Sequence, residues 1–240
     1  MTLIFSCEHA GNRVPLKFKK LFTGRTELLE SHRGYDLGIR QVFGYFKRRF
    51  GVPSISTGLS RLLIDQNRSR ENSGLFSEIS SGLSVSRKAW LLDRHRRYET
   101  ALEKRILRGL NDGAVLHVSF HSFTPVFDGE VRAVDFGILF DPVSAAEHAA
   151  AQTLFDSCSG TAGLTVRFNE PYLGTDDGMC TLFRARYATR GYAGIELEFN
   201  QRDLHPVING KGRALIECVG RWLEEMQGRA GFEAGNTEEP

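Results

Sequence analysis

Apolar and polar positions alternate between two rhythms along this chain. "TLIFSC" (Thr2 to Cys7) opens it as a short β-prone run, and a polar loop, "EHAGNRVP", comes next. From Tyr35, "YDLGIRQVFGYFKRRFG" places Leu37, Ile39, Val42, Phe43, Phe46 and Phe50 on one helical face, and Gly51 ends it. "VPSISTG" and "RLLID" read as two short strands. Ser69 to Ser86, rich in Ser, Gly and Asn, reads as a long loop, and a loop of that length in a compact domain is more often functional than idle.

The same rhythms continue to the end. Lys88 to Leu110 reads as a helix whose buried side carries Leu91, Leu92, Tyr98, Leu102, Ile106 and Leu110. "AVLHVSF" has few charges, as a strand buried on both faces does. "RAVDFGILFDP" reads as a strand and Ala145 to Phe155 as a helix; "LTVRF" and "AGIELEF" are further strands. Arg213 to Met226 forms an amphipathic closing helix. A single domain over residues 1–228 is expected, and "RAGFEAGNTEEP" over 229–240 lacks apolar density and reads as a loose tail. Strands alternating with helices predict a three-layer α/β/α sandwich around a mixed, mostly parallel sheet.

Composition narrows the classes. The 240 residues suffice for one sizeable core, and 41% hydrophobic with 25% charged residues is ordinary globular composition. A net charge of +2 gives no reason to expect nucleic acid or an anionic membrane as partner. Lys17, Lys19, Lys20 and the arginines of "DRHRRYE" read as solvated faces balanced by acids. The four scattered cysteines form no CxxC, which argues against a thiolate zinc knuckle. "MTLIFSCEHAG" lacks the basic start and apolar length of a secretory signal, and no run is long enough to span a membrane. The expectation is a cytoplasmic protein with reduced thiols. The oligomeric state is not legible.

Ligands gather beyond the carboxyl ends of strands in open α/β sheets. Past the ends of the expected strands stand Glu8, His9, Asn12 and Arg13; then Asp65, Asn67 and Arg68; then His121; then Glu198 and Asn200. Asp36 joins them at the start of the first long helix. Two imidazoles and a carboxylate from separate segments can fill three corners of a zinc tetrahedron and leave the fourth open, and His9, Asp36 and His121 supply them. A separate carboxylate, Glu198, can move the proton. Arg68 offers a planar fork for a substrate carboxylate, with an ion pair to Asp65 as its structural rival. Glu8 competes with Asp36, although neighbours on a strand point to opposite faces. Glu196 competes with Glu198, and alternation cannot choose between them because both face the same way. His95 falls in mid-helix and is expected to face solvent, with a role supporting the site or touching substrate as the alternative. His32, His117, His148 and His205 have no claim to a role, and Asp177 and Gly178 are expected in a loop over the site.

"CEHAGNRVP", "HRGYDLG", "LLIDQNRS", "FHSFTP" and "ELEFNQ", in this order from Ser6 to about Asn209, resemble the N-formylglutamate amidohydrolase family, most closely its shorter branch. "RAVDFGILFDP" and "NEPYLGTDDG" also resemble family blocks. The resemblance implies a phosphorylase/hydrolase-like fold, akin to zinc exopeptidases and zinc cell-wall amidases. It implies zinc on His9, Asp36 and His121, Glu198 as base, and an adjacent Asn67–Arg68 pair holding the substrate carboxylate. Asn12 stands where carboxypeptidases place an acidic ligand. The implied reaction is hydrolysis of N-formyl-L-glutamate to formate and L-glutamate. Another N-acyl amino acid or small peptide is the alternative within that class, and a non-catalytic carboxylate-binding module on the same fold is the alternative outside it.

Overall fold

The computed structural model describes residues 1–235. Its elements run β1 (Thr2–Cys7), a 3-10 segment (Leu16–Phe22), α1 (Thr26–Glu30), α2 (Ile39–Phe50), β2 (Ser54–Ser56), α3 (Val85–Asn111), β3 (Val115–Phe123), β4 (Val126–Phe127), β5 (Glu130–Val131), β6 (Phe136–Leu139), α4 (Ala145–Ser159), β7 (Val166–Phe168), α5 (Met179–Tyr187), β8 (Tyr192–Asn200), α6 (Gln201–Leu204) and α7 (Gly210–Gly235). Six strands form one sheet in the order β2-β1-β3-β8-β6-β7. Every pairing is parallel except β6 with β8, so the sheet is mixed and mostly parallel, as the alternation predicts. Hairpin β4–β5 stands apart.

Strand alternation divides the sheet's two faces chemically. Leu3, Phe5 and Cys7 of β1, Leu116, Val118 and Phe120 of β3, and Ile195, Leu197 and Phe199 of β8 join α2, α4 and α7 in the larger core. Their neighbours point the other way. At the amino ends Ile4, Val115 and Tyr192 pack against α3 and α5. Farther along, that face carries Ser6, His117, Ser119, His121, Glu196 and Glu198, all buried. A buried polar row is stable only if its groups find partners. His117 shows how this is met: its Nε2 is 2.7 Å from Ser6 Oγ and its Nδ1 2.7 Å from the Tyr192 hydroxyl.

His117 also gives a measurable pH signature. Burial pushes its pKa down to about 4, so the folded imidazole stays neutral. The unfolded imidazole takes a proton below about 6.5. The unfolded state therefore binds more protons in the window between these values. The stability involved is complete above pH 6.5 and drains away as the pH falls toward 4, by about 2 kcal/mol at pH 5. Replacing His117 with Gln is expected to flatten the fall in denaturation midpoint between pH 7 and pH 5. An unchanged fall would show that this histidine is not its source.

Three expectations change. "RLLID" is not a strand but a run of turns. Ser60 Oγ donates to Gly34 O and accepts from Leu62 N, bending the chain locally. Leu62, Leu63 and Ile64 are buried in a satellite cluster with Phe18 and Leu91 instead. The first long helix begins at Ile39, not Tyr35. Gly38 precedes it at φ 80°, and a Cβ there would lie 2.6 Å from the Leu204 Cβ, so the chain turns sharply at a position only glycine fills. Asp36 therefore sits in the connection before the helix. The closing helix, expected over Arg213 to Met226, is α7 and spans Gly210–Gly235; residues 236–240 lie outside the described residues.

The long segment between β2 and α3 has no regular helix or strand. Among the described residues, all four cysteines are free and buried, and no helix is long and apolar enough to cross a membrane.

Candidate active site

His9 lies two residues beyond the end of β1, and His121 lies on β3, directly across from Glu198 of β8. Asp36 is brought to them by a backbone bond from its N–H to the His9 carbonyl, 3.0 Å. One ligand atom each from His9, Asp36 and His121 lies within 4.8 Å of the others, and all three side chains are buried. The two imidazole centroids are 5.2 Å apart. The three residues that the sequence suggests as metal ligands thus meet in space as a possible metal-binding triad.

The partners of each ring decide which nitrogen faces inward. His9 Nε2 is 2.6 Å from Asp65 Oδ1, while His9 Nδ1 is buried without a hydrogen-bond partner, 3.5 Å from Asp36 Oδ1. His121 repeats this arrangement. Its Nε2 lies 3.3 Å from Glu8 Oε2 and 2.9 Å from Ser119 Oγ, and its Nδ1 lies 3.1 Å from Asp36 Oδ2. Each ring is backed by a carboxylate on Nε2 and turns Nδ1 toward Asp36, as histidine ligands with carboxylate partners do. The orphaned Nδ1 of His9 and the donor set of two imidazoles and one carboxylate fit a divalent zinc-like ion.

Glu8 and Asp65 lie behind the two rings and outside the triad. Glu8 accepts from the Tyr98 hydroxyl at 2.8 Å and the Ser119 hydroxyl at 2.6 Å. Burial acts upward on its pKa, but His121, and after it His117 and the Ser119 hydroxyl, hold it down at about 2. Asp65 is likewise held well below the carboxylate range, against burial, by Arg61 and His9. Arg61 lies 2.7 Å from Asp65 Oδ2 and 3.4 Å from Asp36 Oδ1. The ion pair to Asp65 weighed for Arg68 therefore belongs to Arg61. Replacing Asp65 with Asn keeps the shape but removes the charge behind His9. With the triad as a divalent-ion site, affinity for added zinc should fall about 10- to 100-fold, read by competition with a chelator; an unchanged affinity would contradict the backing role.

A cleft of about 140 Å³ opens over the triad, walled by Asn67, Arg68, Tyr172, Leu173, Glu196 and Glu198. The two glutamates are distinguished by partners. Glu196 Oε2 accepts from Asn67 Nδ2 at 3.3 Å, whereas Glu198 Oε2 is buried with no partner. Burial pushes Glu198 up to about 8; His121 opposes the rise, and the Asp36 and Glu196 carboxylates add to it. A carboxyl raised this far is mostly protonated at pH 7 and serves as a base only once ionised, which a cation on the neighbouring triad would favour. Arg68 Nη1 donates to the Asp177 carbonyl at 2.7 Å, and its other guanidinium N–H groups have no partner among the described residues. Asn67 also lines the cleft, but its Oδ1 accepts from Met179 N at 2.8 Å.

His95 is a correction. It is 1% exposed, on the α3 face of Leu91, Tyr98 and Leu102 that packs inward, and its Nε2 donates to the Arg68 carbonyl at 2.9 Å. Asn12 donates to Leu29 O and takes no part in the cleft. Asp177, expected in an overlying loop, lines the cleft and accepts from Ser69 N and Asn72 Nδ2. The sequence reading gave no role to Arg61 or to Tyr172. Their one signal was proximity to motifs already singled out.

A buried histidine–carboxylate cluster at the carboxyl edge of a mostly parallel sheet, with a second acid across a small polar cleft, is an arrangement suited to hydrolytic chemistry. The chain belongs to the N-formylglutamate amidohydrolase family, whose model matches residues 1–204. The gene product Atu2144 of Agrobacterium tumefaciens is similar in structure, with a TM-score of 0.77 and 26% identity over 94% of this chain and 91% of that one. The N-formylglutamate amidohydrolase of Ralstonia eutropha JMP134 shares the fold, with a TM-score of 0.70 and 16% identity over 97% of this chain and 93% of that one. No curated protein is significantly similar to the chain.

Proposed function

We propose that the protein is a zinc-dependent amidohydrolase that cleaves the amide bond of a small N-acyl amino acid, with N-formyl-L-glutamate, giving formate and L-glutamate, as the leading substrate. The observation that carries this reading is the pairing of two inward-facing imidazole Nδ1 atoms with Asp36, opposite the unpartnered carboxylate oxygen of Glu198. Family membership supports the reaction class.

His9, Asp36 and His121 would hold the ion. A divalent cation there supplies positive charge that polarises the acyl oxygen and acidifies water. Glu198 accepts the proton of the attacking water and passes it to the departing amide nitrogen as the carbon–nitrogen bond breaks, releasing a carboxylic acid and an amine. Arg68 grips the amino-acid carboxylate through its free N–H groups, which fixes the scissile bond over the triad. Asn67 braces the cleft wall beside it and can add a contact to the same carboxylate. Asp65 and Glu8 keep both rings oriented. The reading needs only a small-molecule partner.

The test is a panel of N-formyl amino acids, N-acetyl amino acids and dipeptides given to zinc-loaded protein, read by release of primary amine. The expected result is turnover of N-formyl-L-glutamate above the other compounds. No amine from any compound, with zinc bound, would overturn the reading.

A further inference from the structure

A second cavity lies on the same edge of the sheet and has no part in this chemistry. It is a groove of about 440 Å³ between the loop after β1, the carboxyl end of β2 and the outer side of α3. That volume is in the range of small-molecule sites. Arg13 enters it from the loop, and Arg94 and Arg97 from α3, where their spacing of three puts them on one side of the helix. Among the described residues, no acidic one lines it. Pro15, Leu59 and Trp90 give it an apolar wall, and Ser56 and Thr57 contribute hydroxyl-bearing residues at the strand end.

The cations here are not balanced in the way the sequence suggests. Asp93 engages Arg96 and Arg97, at 3.0 and 2.6 Å. Arg13, Lys17 and Arg94 have no carboxylate partner among the described residues. Lys17 and Arg94 both pack on the Trp90 ring, at 3.7 and 4.6 Å from its centroid. The Lys17 ammonium is held below its ordinary pKa by desolvation and then by the like charges of Arg94 and Arg87. Arg13 and Arg94 thus present two guanidinium groups without carboxylate partners to one concave surface, which favours an anion there. Guanidinium forks match phosphate oxygens in geometry.

We propose that this groove is a second ligand site, for a small organic phosphate whose phosphate group meets Arg13 and Arg94 and whose apolar body lies against Leu59 and Trp90. Residues that line the groove also touch the surroundings of the catalytic cleft. Tyr98 lines the groove and donates to Glu8, which backs His121. Gln66 lines it too, between Asp65 and Asn67. The proposal stands on this geometry alone and does not depend on the amidase reading.

Adenosine 5′-monophosphate serves as the probe in calorimetric titrations at low ionic strength, with adenosine as the uncharged control. One saturable AMP site per chain is expected. Its affinity should fall at least about tenfold in the Arg13→Gln/Arg94→Gln double variant, which corresponds to about 1.4 kcal/mol, and remain unchanged in Arg68→Gln. Both replaced arginines are exposed, so the double variant should unfold at the wild-type midpoint without ligand. Arg94→Glu alone provides a second variant, with the same expected direction. Absence of saturable binding, AMP binding that survives the double replacement, binding lost in Arg68→Gln, or adenosine binding as tightly as AMP would each overturn the proposal.

Discussion

Replacing Glu198 with Gln is expected to lower the turnover number about 10³-fold while leaving the metal content unchanged. The magnitude follows from what a positioned base contributes, about 10²- to 10⁴-fold. The amide is nearly the same shape as the carboxylate but cannot accept the water proton. Glu198 is the acid to replace because its Oε2 is buried and unpartnered, whereas Glu196 is tied to Asn67. Glu196→Gln should therefore cost much less. Equal losses for the two variants, or near-normal turnover in Glu198→Gln, would move the base elsewhere.

Arg68→Ala should lower kcat/KM about 10- to 100-fold, mostly through KM. That is the loss of a charge-assisted hydrogen-bonded pair, about 1.5–3 kcal/mol. A control separates binding from architecture, because Arg68 also donates to the Asp177 carbonyl. With a substrate whose carboxylate is converted to a neutral amide, wild type and variant should perform alike. A drop of the same size on the neutral substrate would mean that Arg68 acts by holding the 177 loop, not by gripping substrate.

The parts of the site visible in the sequence were those tied to strand ends. His121 closes a run whose alternate positions, His117 and Ser119, are polar, and Glu196 and Glu198 repeat the pattern in "IELEF". In the fold this alternation gathers the polar side chains on one sheet face, whereas in the sequence the low charge of "AVLHVSF" reads only as burial on both faces. His9 comes soon after β1. Asp36 was harder to place: it looked like a first-turn acid, yet it belongs to a connection whose course depends on Gly38 meeting Leu204, a contact between residues far apart in sequence.

The backing carboxylates were not legible as such. Glu8 and Asp65 are ordinary acids in the sequence, and only the packing of α3 and the turns at 61–65 turns them toward imidazole nitrogens. "RLLID" misled because three consecutive apolar residues suit a strand or a buried turn equally well, and the hydrogen bonds of Ser60 decide between the two. His95 misled because its neighbours Arg94, Arg96 and Arg97 are charged, while its own position follows the apolar stripe of α3.

Metal content tests the central claim most directly. Protein purified without chelator should contain about one zinc per chain, and the Asp36→Asn/His121→Ala double variant, folded by its unfolding midpoint, should contain almost none. Wild-type protein that takes up no divalent ion when offered zinc, or a double variant that retains a full equivalent, would contradict the account.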